Sequence, residues 1–381
     1  MKIVYYLPSL VASGGIERII TFKANYFAEH FDNYDVTIIT SEQMGDKPYF
    51  SLSSKVKHID INVPIDRPYT QSKLKKILFY PYRFFRFRRK LTRVLMEIHT
   101  DIFVSTMRRE LTFINDLKDG SIKIGEFHVT RYAYGGETIT SRNPIMKFVK
   151  YYWTRSFQNN MSKLKKVVLL TKEGAANWPE LKNLVVIPNP IAGYQEGLIS
   201  DCSAKLVIAV GRYAPQKGFD LLIPAWAKVI EKHPDWILKI YGEGGLKESY
   251  LRQIKDLSLD HNCFLEEPVK DIYNKYAESS IFVLSSRYEG FGMVITEAMS
   301  CGLPVVSFSC PCGPKDIIDD GVNGLLVNKN DINQLAEKIN YLIEHDLIRK
   351  EMGKAALLNS EKYKMENISK LWNNLFQSII G

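Results

Sequence analysis

The stretch IFVLSSRYEGFGMVITEAMSCGLPVVSF, residues 281–308, opens on a β-branched and aromatic run and breaks at Gly290 and Gly292. It continues as an apolar helix-period segment over 293–301 and returns to a strand-like PVVSF. Strand, glycine loop, helix, strand is the repeating unit of a parallel sheet covered by helices. The same alternation runs outward in both directions. Upstream, KIVYYL (2–7), DVTIIT (35–40), HIDINV (58–63), DIFVST (101–106), KIGEFHV (123–129) and KVVLLT (166–171) read as strands, with helical patterns such as ERIITFKANYFAEHF (17–31) between them. At LVVIPNPIAGYQEG (184–197) a strand-like run dissolves into Pro, Asn, Pro and Gly, a boundary signal. The alternation then restarts with KLVIAVGR (205–212), WILKIYGEG (236–244), IFVLSSR (281–287), PVVSF (304–308) and GLLV (324–327) as strands. Helices are expected over 218–232, 245–259, 271–279, 293–301, 331–345 and 347–359. The fold class this predicts is α/β: two doubly wound, Rossmann-like parallel-sheet domains, 1–190 and 191–365, facing each other across a cleft at the carboxyl ends of their strands.

Bulk composition agrees with two domains. A chain of 381 residues exceeds one ordinary core, and 45% hydrophobic with 24% charged residues is the balance of a soluble globular protein. No run of about 18 apolar residues occurs, and the opening MKIVYYLPSL lacks a secretory cleavage pattern, so a cytoplasmic location is expected. The five cysteines are scattered without a C-x-x-C pair, which predicts reduced, mostly buried thiols; Cys310 and Cys312 in SCPCGP have no further ligands at metal-binding spacing. The net charge of +9 is uneven. Residues 1–200 carry 30 Lys and Arg against 18 Asp and Glu, while 201–381 carry 21 against 24. The surplus concentrates in KLKKILFYPYRFFRFRRKLTRV (73–94), with nine Lys and Arg, no acid, and interleaved aromatics. Basic heads beside aromatic anchors predict a segment drawn to an anionic membrane surface. A solvated helix face is the plainer reading, and nucleic acid, which attracts the same cations, is disfavoured.

Candidate chemistry lies at strand ends. Gly290 and Gly292 let backbone approach a ligand, and the helix that starts near Met293 favours an anion at its N-terminus. Glu289 lies beside that site and Glu297 about a turn and a half into the helix; carboxylates near a phosphate suit the hydroxyls of a sugar. VGRYAPQKGFD (210–220) sets Arg212 and Lys217 on the loop after a strand, a fork and a point charge suited to a diphosphate. LPSLVASGGIER places Gly14 and Gly15 after the first strand, where nucleotide-binding folds keep a phosphate loop, but without G-x-G-x-x-G. His128 ends a strand, either as a structural histidine or as a polar contact for a ligand. No Asp-x-Asp pair is present, so the expectation is that no metal ion is required and that Arg212, Lys217 and helix N-termini meet the charge of a leaving diphosphate.

These residues together resemble the retaining glycosyltransferases of family 4, which have the GT-B fold. The likeness rests on GGIER, VGRYAPQKGFD, IYGEGGLKESYL, YEGFGMVITEAMSCGLPVVSF with its E-x7-E spacing, and GVNGLLV, in that order along nearly the whole chain. The resemblance implies that Arg212 and Lys217 hold a nucleotide-sugar diphosphate and Glu297 the ribose hydroxyls. It implies that Glu289 sits by the transferred sugar, with backbone at Gly211, Gly290, Phe291, Gly292, Met293 and Val294 against the donor. Gly14 and Gly15 would face the diphosphate, His128 the sugar, and a closing helix over 366–381 would return to the first domain. SGGIER and SFSCPCGPKDII are most similar to bacterial transferases of capsule, exopolysaccharide or O-antigen assembly. That similarity implies a UDP-sugar co-substrate, UDP-galactose first, and a lipid-linked saccharide acceptor at the inner face of the membrane. A GDP-sugar transferase and a non-catalytic carbohydrate-binding subunit are the alternatives, and a UDP-sugar 2-epimerase, which shares the fold, has no reason to carry E-x7-E with Arg212 and Lys217.

Overall fold

The computed structural model describes residues 1–65, 73–131, 144–194 and 196–380. The side chains of Lys73, Lys75 and Lys76, part of the predicted membrane segment, lie outside the described residues. Two units form, the first from Met1–Leu170, Ala175–Ala192 and Ile368–Gly381, the second from Thr171–Gly174 and Gly193–Asn367.

In the first unit β1 (Lys2–Tyr6), β2 (Asp35–Thr40), β3 (Lys57–Asp60), β4 (Ile102–Ser105), β5 (Ile122–Phe127), β6 (Lys166–Leu169) and β7 (Leu184–Val186) make one parallel sheet in the order β3-β2-β1-β4-β5-β6-β7. In the second, β8 (Leu206–Val210), β9 (Ile237–Tyr241), β10 (Cys263–Glu266), β11 (Ile281–Leu284), β12 (Val305–Phe308) and β13 (Gly324–Val327) run in the order β10-β9-β8-β11-β12-β13. Both orders reverse direction beside their first strand, which puts a topological switch point between β1 and β4 and another between β8 and β11; ligands of open α/β sheets bind there.

The strands are near-continuous apolar runs because both faces are covered. Along β1, Ile3 and Tyr5 face a layer that includes Phe27 of α1 (Gly15–His30) and Trp372 and Phe376 of the closing helix, whereas Val4 and Tyr6 face Phe87 and Leu91 of α2 (Lys73–Ile98) and Phe157 and Met161 of α3 (Pro144–Lys163). The second unit buries Val207, Ala209 and Ile281 against Trp226 of α4 (Phe219–Ile230). After these come α5 (Met293–Ser300) and the closing helix α6 (Met365–Ile380), whose Ile368, Trp372, Leu375, Phe376 and Ile379 are buried at helical spacing in the first unit.

Among the elements that escaped the sequence pattern are α3 and β10. α3 exposes Phe148, Tyr151, Tyr152 and Trp153, and β10 is a four-residue edge strand with an exposed Phe264. The predicted strand 58–63 stops at Asp60, since Asn62 takes φ +48. The basic segment is helical and runs through Pro81, giving up one intrahelical bond. Among the described residues no helix is long and apolar enough to cross a membrane, and all five cysteines are buried and outside any disulfide.

Candidate functional site

In the second unit the loops after β8 and β11 flank the switch point and are tied to each other. A Cβ on Gly211 would lie 3.0 Å from both Cδ and Cε of Lys217, so the bare glycine lets the lysine stem lie over the strand end. Lys217 Nζ donates to Glu289 Oε1 at 2.8 Å, and Ser286 Oγ donates to the same oxygen at 2.6 Å. Sequence reading gave Lys217 to a diphosphate and Glu289 to a sugar; the fold brings the two side chains into direct contact.

The framework behind them is stiff. Gly218 has φ +64, and a Cβ there would stand 2.0 Å from the Ser285 carbonyl oxygen. Ser285 Oγ donates to the Lys217 carbonyl at 2.9 Å, Arg287 N–H to the Gln216 carbonyl at 2.7 Å, and Gln216 Nε2 to the Tyr288 carbonyl at 3.0 Å. The Arg287 guanidinium clamps both oxygens of Asp220 at 2.8 and 2.6 Å. Arg212, by contrast, is exposed, and among the described residues its guanidinium donates to Gln216 Oε1 at 3.5 Å. An exposed guanidinium fork beside a largely buried ion pair offers two cations of different character at one strand end.

Gly292, in the left-handed region at φ +91, turns the chain into α5 at Met293 and Val294. Phe291 is buried edge-on against Tyr363 at 5.7 Å, and its carbonyl fits under Gly313, where a Cβ would stand 2.1 Å away. Glu289 N–H donates to the Pro311 carbonyl at 3.1 Å, so the glutamate and Gly290 are held by the loop after β12. Glu297, buried on α5, accepts from the Tyr276 hydroxyl at 3.4 Å. Two carboxylates of different character result, one neutralised by a lysine and one beside a phenol. Among the described residues no group of three or more His, Cys, Asp and Glu could hold a metal ion.

The first unit carries a cavity of about 980 Å³ at the carboxyl ends of β1, β4 and β5. Its polar lining includes Glu17, Arg88, Arg108, Arg109 and His128, and aromatic rings such as Phe84 and Trp153 form much of the rest. Gly14 caps α1 in extended conformation and Gly15 begins the helix. A Cβ on Gly14 would lie 2.2 Å from Glu17 Oε2, so the Glu17 carboxyl folds back over the helix start that sequence reading reserved for a phosphate. Burial raises the pKa of this carboxyl, with Arg108 opposing. His128 follows β5 and its side chain is 4% exposed. Its Nε2 stands 3.4 Å from Glu126 Oε1 without making a hydrogen bond. Burial holds the ring's pKa at about 4, with Lys23 and Arg108 helping and Glu126 opposing, so the imidazole is neutral at physiological pH.

Behind His128 lies a buried ion pair that sequence reading missed. Lys23 Nζ donates to both oxygens of Glu126 at 2.5 and 2.6 Å, with each side chain 1% exposed, and lies 3.9 Å from the Trp372 ring centroid. A signal was present: Glu126 and His128 are two apart in a strand, hence on one face, and Lys23 interrupts the apolar side of α1. Glu110 is also buried, accepting from Ser105 Oγ at 2.5 Å and Arg108 N–H at 3.0 Å, and burial pushes its pKa up to about 7.

Two Rossmann-like domains with the donor-type loops on the switch point of the second define the GT-B class of glycosyltransferases. Residues 197–358 match the family described as Glycosyl transferases group 1, and the chain carries a group 1 glycosyltransferase domain of the GT4 type. Over 377 residues it is 27% identical to an uncharacterized glycosyltransferase of Haemophilus influenzae, covering 98% of this chain and 99% of that protein. It is 27% identical over 383 residues to the amylovoran biosynthesis glycosyltransferase AmsD of Erwinia amylovora, covering 98% and 99%. Among solved structures, a mutant of S. aureus TarM in complex with Fondaparinux, alpha-GlcNAc-glycerol and UDP aligns at a TM-score of 0.77 and 19% identity over 98% of this chain and 99% of that one.

Proposed function

We propose that this glycosyltransferase moves a hexose or N-acetylhexosamine from a UDP-sugar, UDP-galactose first, to a lipid-linked saccharide in surface polysaccharide biosynthesis, of capsule or O-antigen type, with retention of anomeric configuration. The observation that carries the reading is the Lys217–Glu289 pair at the β8/β11 switch point, where a cation and a carboxylate meet beside the start of α5. Arg212 and Lys217 take the donor diphosphate, helped by the α5 N-terminus beyond Gly292; Glu297 takes the ribose hydroxyls and Glu289 those of the sugar. As the glycosidic bond to the diphosphate breaks, negative charge grows on the leaving oxygen, and the two cations stabilise it. The acceptor hydroxyl attacks on the face the diphosphate leaves and passes its proton to it, so no protein nucleophile and no metal ion take part. In the first unit, neutral His128 offers a hydrogen bond to a sugar hydroxyl. A polysaccharide role is supported by the amylovoran relative, and UDP by the ligand in the TarM complex. The acceptor would be met at the cytoplasmic face of the membrane, which the basic segment 73–94 approaches.

The test is calorimetric titration with UDP, GDP and CMP, then UDP-galactose, UDP-glucose and their N-acetyl forms, all in EDTA. Preferential binding of UDP with turnover of one UDP-sugar supports the reading. Preference for GDP moves it to a mannosyl-type transferase, and silence from every nucleotide moves it to a non-catalytic subunit. Glu289→Ala is expected to abolish transfer with the fold intact by circular dichroism; near-normal turnover in that variant would overturn the assignment.

A further inference from the structure

α3 turns several large aromatic side chains outward. Phe148, Tyr151 and Tyr152 are 70%, 60% and 66% exposed and fall on one helical face with Arg155, at spacings of three, four and seven; Trp153 beside them is 56% exposed. Among its described side chains, Phe157 and Met161 at the far end of the helix are buried. Large aromatics exposed this densely mark an interaction surface.

The surface continues onto α2. That helix buries Phe87, Leu91 and Leu95 and turns Tyr82, Phe85, Arg86, Arg89 and Arg93 outward. Arg109 joins the two helices, its guanidinium 5.7 Å from the Tyr80 ring of α2 and 5.9 Å from the Trp153 ring of α3. Charge on the two helices is strongly biased to one sign. α3 contains no acidic residue, and α2 contains Glu97 alone, in its last turn. The cavity at the β1, β4 and β5 ends is walled by both helices, through Tyr80, Phe84 and Arg88 on one side and Tyr152, Trp153 and Phe157 on the other.

We infer that α2 and α3 form one docking face for an anionic phospholipid bilayer, and that the cavity between them draws its ligand from that bilayer. The inference rests on the membrane reading of residues 73–94 and extends it to a second helix and to the route of the acceptor. Complementarity selects the occupant: aromatic rings suit the headgroup boundary and Arg and Lys suit acidic headgroups, and both are present on both helices. An amphiphile with a phosphate and an apolar chain would meet Arg88, Arg108 and Arg109 beside aromatic walls without leaving the surface.

The chain carries its own probe. Trp178, Trp226, Trp236 and Trp372 are buried, so of the five tryptophans Trp153 alone is exposed. The full-length protein is mixed with phosphatidylcholine vesicles, with or without phosphatidylglycerol, and with brominated analogues. Binding that grows with phosphatidylglycerol, a blue shift, and quenching by the brominated chains, both absent in Trp153→Phe, are expected. Phe148→Ser/Tyr151→Ser, which spares the cavity lining, should weaken binding roughly tenfold or more, as lost apolar contact predicts; circular dichroism checks its fold. Binding with unmoved Trp153 emission would overturn the inference while leaving α2 as a membrane segment. No binding to any vesicle would remove both. Shielding of Trp153 by concentration-dependent dimerisation, or saturable binding to duplex DNA in place of vesicles, would give the face to another partner and also overturn it.

Discussion

Replacing Lys23 by methionine removes the cation that balances Glu126 inside the first unit. Both partners are 1% exposed and the contact is bidentate, so the substitution leaves an ionised carboxylate in an apolar core or forces it to take up a proton. Breaking a buried pair from one side costs about 3–5 kcal/mol, and loss of the desolvated contact with Trp372 belongs to the same removal. For a domain of this size each kcal/mol moves the melting temperature by about 2–4 °C, so a fall on the order of 10 °C is expected. Lys23→Met/Glu126→Gln removes both charges with little change of shape and should recover most of that loss, since neutral replacement of a buried pair is often harmless. Thermal melts of wild type, both single variants and the double variant close the cycle. A second readout separates this from simple packing. Lys23 holds the His128 pKa down and Glu126 raises it, so in Lys23→Met the ring should titrate at higher pH and the acid limb of the activity profile should move up with it. A single variant costing under about 1 kcal/mol, or a double variant costing as much as the two singles together, would refute the reasoning.

Glu110→Gln should change how stability depends on pH. A carboxyl raised to about 7 by burial contributes stability that is full below its unfolded value near 4.5 and lost as pH rises through 7, so the glutamine variant should gain on wild type across that window, by about 3 kcal/mol at most. Paired melts at pH 4.5 and 7.5 measure it, and a constant difference would show that Glu110 titrates normally. His128 has the opposite sign, losing stability as pH falls from 6.5 to 4, which is why wild type alone should look flat. Gly218→Ala must push against the Ser285 carbonyl from a left-handed backbone, a strain of about 1–3 kcal/mol at the donor loop. Calorimetric UDP affinity should fall about tenfold, and wild-type affinity would disprove the role given to that turn.

The loops after β8 and β11 were legible because their chemistry is local. Glycine at a strand end, a carboxylate beside it and a helix start immediately after form a contiguous string, and the same holds for Arg212 and Lys217. The alternation of apolar runs likewise determined two doubly wound sheets, since parallel strands buried on both faces have no other way to read. What the sequence alone left open is what depends on separated segments meeting. Lys217 and Glu289 are 72 residues apart, and only the adjacency of β8 and β11 turns them into an ion pair. Lys23 and Glu126 are 103 apart, and only the layer shared by α1, β5 and the closing helix buries them together. α3 was missed for the converse reason. Helix patterns are read from the side that packs, and this helix displays Phe148, Tyr151, Tyr152 and Trp153, a property that takes on meaning only beside α2 and the cavity they both line.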